Sequence, residues 1–259
     1  FQFSTTNSLT CGSTVNFNLT VNYTGGGSPR VIPLTFAVGT TASVFTQNFD
    51  GVTAPALPAG WTTAQSGTAP PAVWATTASG PDTAPNAAFT NGVVTPSSNS
   101  LISPSITLPA SSTGAVLTFR NAWNFEDGYD GGVLELSTDG GLNYNDVTSG
   151  TVGGVFTTGG YSGSIDPTTG SPIAGQSAWT GVQTAYVTTT LQLPASLNGQ
   201  TLRLRFRAGW DNGSANAGAN WRIDGLSIQS GLTCPGPGTG TCGGSTYLIA
   251  TAVLPVGTG

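Results

Sequence analysis

Val15, Phe17, Leu19, Val21 and Tyr23 alternate with Asn16, Asn18, Thr20, Asn22 and Thr24. A period of two puts successive side chains on opposite faces of an extended chain, so the spacing predicts a strand over Thr14–Tyr23 with one apolar and one wholly polar face. Similar alternation predicts strands over Val31–Val38, Ala115–Phe119, Gly132–Ser137, Ala185–Leu193, Thr201–Ala208, Trp221–Ile228 and Tyr247–Leu254. Between them stand turn sequences such as TDGG at Thr138–Gly141 and LNGQ at Leu197–Gln200. No apolar stripe of helical period is sustained anywhere. Many short strands punctuated in this way predict an all-β sandwich rather than a parallel α/β sheet.

The pattern divides the chain into three regions. Residues 1–44 hold two strands joined by TGGGSPR. Residues 45–230 read as one continuous β domain. Residues 231–259 begin with a Gly/Pro tether and end in the apolar run TYLIATAVLPV. A lone hairpin is marginal in water and a lone strand has no stability of its own, so both terminal pieces need a partner.

Composition narrows the function. Of the 259 residues only 7% are charged, the six basic residues are all Arg, and His is absent. A net charge of -5 argues against nucleic acid, which is bound by clustered cations. The nearest approach to a basic patch is Arg203, Arg205 and Arg207, which share one face of a strand and read as a solvated ladder. No apolar run reaches the roughly 18 residues of a membrane helix. The opening FQFSTTNS has neither a basic nor an apolar leader segment, as expected of a mature form or a fragment. Without His, a Ser-His-Asp or Cys-His nucleophile cannot be built. The expectation is a non-enzymatic extracellular or cell-surface protein.

Three cysteines leave one over after any single bridge. Cys234 and Cys242 bracket PGPGTGT, and a disulfide closing that loop is the simplest assignment, with Cys11 left to another partner. Sequons at Asn18, Asn22 and Asn212 are candidate glycosylation sites. Of the six tryptophans, Trp123, Trp179, Trp210 and Trp221 lie in or beside strands. Trp61 and Trp74 fall in a loop-rich stretch that leaves them freer for solvent, but packing is the expectation for each.

Several runs carry a family resemblance: NFDGVTAPALPAGWTT, LISPSITLP, LTFRNAWNFEDGYDGGVLELSTDGG, GYSGSI, SAWTGVQTAYVTTTLQLPASLNGQTLRLRFRAGWD and WRIDGLSI. In this order they resemble the MAM-like jelly-roll domains of bacterial secreted and surface proteins, including those near immune-inhibitor-A-type peptidases. The segment before them resembles the last strands of an Ig-like unit. The resemblance implies a jelly-roll β-sandwich over residues 45–230, flanked by Ig-like β-strands. It also implies a calcium ion tying first strand, last strand and a loop together, at positions matching Asn48, Asp50 and Asp224. The loop NFEDGYDGG adds Glu126, Asp127 and Asp130 as oxygen donors of the kind calcium takes.

Two functions remain open. In one, the protein is a filament subunit in which the terminal strand of one copy completes the sandwich of the next. In the other, it is a carbohydrate- or protein-binding accessory module of a larger secreted hydrolase or adhesin.

Overall fold

A computed structural model describes residues 9–67, 73–111, 113–213, 215–218 and 220–234. They form two compact units, one of residues up to Thr40 with those from Leu232, the other Thr41–Gly231. The expected strand Tyr247–Leu254, and Cys242 with it, lie outside the described residues.

In the first unit β1 (Thr14–Val21) pairs antiparallel with β2 (Arg30–Ala37), Thr14 opposite Ala37 and Val21 opposite Arg30. The hairpin is two-faced, as its alternation dictates. Val15, Phe17 and Leu19 share one face with Ile32, Leu34 and Phe36, all half-buried, and the Phe17 and Phe36 rings lie 5.8 Å apart. Asn16, Asn18 and Thr20 are exposed on the other. The expected Cys234–Cys242 bridge is corrected: Cys234 is bonded to Cys11, their Cα atoms 5.7 Å apart across 223 positions. The reason is local pairing, since Thr40 and Thr233 form an antiparallel bridge with reciprocal 2.9 Å backbone hydrogen bonds that bring Cys234 to the foot of the hairpin.

The second unit is a jelly-roll β-sandwich. Its strands are β3 (Ser43–Gln47), β4 (Thr62–Gly67), β5 (Ala75–Thr77), β6 (Ala87–Asn91), β7 (Ser97–Ile102), β8 (Ile106–Thr107), β9 (Val116–Asn124), β10 (Gly131–Ser137), β11 (Asn145–Asp146), β12 (Val155–Thr158), β13 (Gly163–Ser164), β14 (Ser177–Ala178), β15 (Val182–Gln192), β16 (Thr201–Trp210) and β17 (Asn220–Gln229). One antiparallel sheet runs β11-β10-β16-β7-β4, with β8 also on β16; the other runs β12-β15-β9-β17-β6-β5, with β3 on β17.

The inward positions of the two sheets meet in an aromatic core. Leu202, Leu204, Phe206, Ala208 and Trp210 of β16 are buried in succession at alternate positions. Phe206 meets Phe119 edge-on at 5.3 Å, and Trp221 packs against Phe206, Trp179 and Trp74 at 6.0, 5.8 and 5.2 Å. All six tryptophans are buried, Trp61 and Trp74 included. Aromatic side chains bury roughly 150–250 Å² each, so these six contribute a large part of the sandwich's hydrophobic stabilisation.

Part of the outer face of the first sheet is covered as well. Residues between β12 and β15 fold back over it, and Trp179 exchanges two backbone hydrogen bonds of 2.9 Å with Gly132. Ile165, Ile173 and Ala178 then form a second small core with Val133. Glycine makes this approach possible, because a Cβ on Gly209 would lie 2.6 Å from Ile173 Cγ1.

Candidate functional site

The part of that outer face left open by the described residues holds the candidate site. Across an antiparallel ladder, directly opposite residues share a face. Register places Ser100 opposite Arg207 and Ala64, and Ser98 opposite Gly209 and Ser66, so all project outward. Ala64, Gln65, Ser66, Ser98, Ser100, Arg205 and Arg207 line a groove of about 220 Å³. Its floor is made of small side chains and hydroxyls, and its wall is two guanidinium groups.

Glu135, on the same outward face of β10, organises the wall. Its Oε2 accepts hydrogen bonds from Arg205 Nε at 2.5 Å and Arg207 Nε at 3.2 Å, and its Oε1 accepts one from Arg207 Nη2 at 2.8 Å. Arg207 Nη1 also donates to the carbonyl of Pro172 in the covering segment, at 3.3 Å. The Arg205 guanidinium lies 4.1 Å over the ring of Tyr144. Arg203 donates from Nε to Ser105 Oγ at 3.2 Å. The arginines do stand on an outer face, but two of them are shared by one carboxylate rather than freely solvated. Two cations on one anion leave a local charge of +1 in a chain of net charge -5.

The six expected calcium donors do not converge. Asp50 Oδ1 accepts the N–H of Asn86 at 2.9 Å, and its Oδ2 accepts Asn48 Nδ2–H at 2.7 Å. Asp224 Oδ2 accepts the N–H of Thr83 at 2.9 Å and Oδ1 that of Gly225 at 2.7 Å. Each oxygen of both carboxylates therefore already holds an N–H, the role of a turn acceptor. Burial, with the nearby Asp50 charge, raises the Asp224 carboxyl above its usual range, against the N–H bonds that lower it.

At the other end of the sandwich, Asp130 Oδ1 accepts the N–H of Asp211 at 2.8 Å, and Asp211 Oδ1 accepts that of Gly213 at 2.6 Å. Asp127 is exposed. Among the described residues no group of three or more acidic, His or Cys side chains is arranged to hold a metal ion. Glu126, whose Oε2 is buried without a hydrogen-bond partner, lies beside Asp130, so the acidic donors fall into two separate neighbourhoods; calcium, which takes six to eight oxygens, stays an expectation of the resemblance.

Asn18, Asn22 and Asn212 are all exposed. Sequence reasoning missed the groove's floor, together with Glu135 and Asp211. The signal for Glu135 was present: it is an acidic residue flanked by Leu134 and Leu136, at the outward position of a predicted strand.

No family model and no curated protein matches this chain. Solved structures similar in fold include the K3 cleaved adhesin domain of Lys-gingipain from Porphyromonas gingivalis W83, at 16% identity and TM-score 0.39, covering 74% of this chain and 100% of that one. The CBM22-1 xylan-binding domain of Paenibacillus barcinonensis Xyn10C is 11% identical with TM-score 0.41, covering 76% and 100%. A carbohydrate-binding module of the β-sandwich superfamily is 14% identical with TM-score 0.43, covering 83% and 74%. At these values the likeness transfers neither ligand nor site residue to this chain. Among the described residues no helix is long and apolar enough to cross a membrane.

Proposed function

We propose that this chain is a non-catalytic extracellular module that binds carbohydrate in the groove on the outer face of its first sheet. The observation that carries the reading is the groove itself, floored by Ser66, Ser98, Ser100 and Ala64 and walled by Arg205 and Arg207. Sugars are recognised through paired donors and acceptors on a shallow surface, and this combination supplies both. The extracellular setting follows the MAM-like resemblance of residues 45–230, which stays part of the proposal. Titration of the protein with an oligosaccharide panel, followed by amide chemical shifts, is the test. Perturbations centred on Ser98, Ser100 and Arg205 are expected. Binding that leaves these amides unmoved would place the site elsewhere.

A second reading, the filament subunit, draws on the β1–β2 hairpin. Among the described residues its sheet has two strands, and an extended segment adds to a sheet edge through main-chain hydrogen bonds. Residues 247–256 have the alternation to supply one, from the same chain or the next. Particle size by light scattering tests it: growing polymers that vanish on deletion of 247–259 support exchange, and a monodisperse monomer removes it.

A further inference from the structure

We infer that the groove selects acidic sugars, with the carboxylate of a uronic acid received by Arg205; this rests on the carbohydrate reading above. Two observations lead there. First, the groove has no aromatic platform. All six tryptophans are in the interior, and Tyr144, the aromatic ring beside the wall, is covered by the Arg205 guanidinium. Neutral sugars bound on open surfaces lean on stacking against flat rings, and none lines this floor. The contact energy has to come from polar groups instead.

Second, the strongest polar group on offer is cationic and only partly engaged. Arg205 uses Nε on Glu135, while neither of its terminal nitrogens has a hydrogen-bond partner among the described residues. Arg207, by contrast, uses all three nitrogens on Glu135 and Pro172. Arg205 is thus the group with donors left, held over the Tyr144 ring and bonded through Nε to Glu135, so that little order is lost on binding. A guanidinium edge with two free N–H groups matches a carboxylate, which it binds by two parallel charge-assisted hydrogen bonds. The floor hydroxyls of Ser98, Ser100 and Ser66 then meet the sugar's own hydroxyls, and their small size lets the ring approach the sheet. Glu135 does not compete for the ligand, because both of its oxygens are taken by the arginines.

The test is calorimetric titration of the intact chain with tetragalacturonate, its full methyl ester, a sulfated dextran tetrasaccharide and cellotetraose. The free acid is expected to bind about tenfold more tightly than the methyl ester, because esterification removes the charge-assisted pair. Its affinity is also expected to fall with added salt. Arg205→Gln should remove the preference for the acid. Should that variant fail to fold, Ala64 gives an independent reading, since it is exposed on edge strand β4 and outside the arginine network. Ala64→Glu should weaken the acid relative to Ala64→Gln, which has the same size without the charge, while the two variants bind the methyl ester alike. Equal binding of acid and ester, or tighter binding of the sulfated sugar, would overturn the carboxylate assignment while leaving a carbohydrate module standing. Absence of binding to all four sugars would remove the reading beneath it as well.

Discussion

Glu135 and Asp130 stand five positions apart on and just before β10, and both are withdrawn from water, at 4% and 1% exposure. Their surroundings are opposite. Glu135 faces Arg205 and Arg207 across the ladder and forms an ion pair with each. Asp130 has two acids for neighbours, Asp211 and Glu126. Burial pushes its carboxyl up to about 7, and those two charges push the same way, against the single N–H of Asp211. A carboxylate removed from water must find a cation or keep its proton. One strand shows both solutions, and the arginine end is the one that forms a groove.

The largest effect that would sharpen this comparison comes from neutralising the arginine end. Glu135→Gln keeps size and hydrogen-bonding capacity but removes the charge that gathers two guanidiniums. Breaking a fully buried pair costs about 3–5 kcal/mol, whereas Arg205 and Arg207 retain 24% and 15% of their side-chain exposure and can turn to solvent. A loss of about 2 kcal/mol in urea unfolding is the expected result. A change below about 0.5 kcal/mol, the range of ordinary surface substitutions, would show that the arginines do not stabilise Glu135 and would erase the contrast with Asp130.

The sequence revealed the two ends of this comparison unequally. Alternation located β16 and β10 nearly to their ends, and put Arg203, Arg205 and Arg207 on one face, because inward Leu, Phe and Trp residues mark every second position. The groove's floor left no such mark. β7 opens with Ser97, Ser98, Asn99 and Ser100, polar on both faces, and β4 reads TTAQSG with no apolar side. All four are buried, Ser97 and Asn99 on the inward side with Trp210 and Ala208, Ser98 and Ser100 on the side that lines the groove. Hydrophobic periodicity cannot report a strand that lacks it. Trp61 was hard to place for the opposite reason: it sits in a loop, yet packs 5.1 Å from Phe49. The Cys11–Cys234 bridge spans almost the whole chain, and nothing in local spacing favours it over the nearby Cys242. The acidic residues were legible as a charge cluster, but whether their oxygens were already occupied by N–H donors depended on turns that only the fold defines.

A smaller effect tests the proton end. A carboxyl whose pKa is higher in the folded than in the unfolded state stabilises the fold while it is protonated, below the unfolded value of 3.8. As pH rises from about 4 to about 7 the unfolded chain gives up this proton and the folded chain keeps it, so stability falls across that window and levels off above it. Asp130→Asn should remove this slope. The amide oxygen can still accept the N–H of Asp211, and the amide group resembles the protonated acid in size and charge. At pH 4 the variant and the parent should therefore melt close together. At pH 8 the variant should be more stable by on the order of 1–2 kcal/mol, less than the full shift implies because the neighbouring acids share in the titration. Thermal melts of both proteins from pH 4 to pH 8 decide it. If Asp130→Asn leaves the slope in place, or lowers stability at pH 8, then the folded protein does not hold the Asp130 carboxyl above its unfolded value. A cation or water held beside Glu126 and Asp211 would then be doing at this end what arginine does at the other.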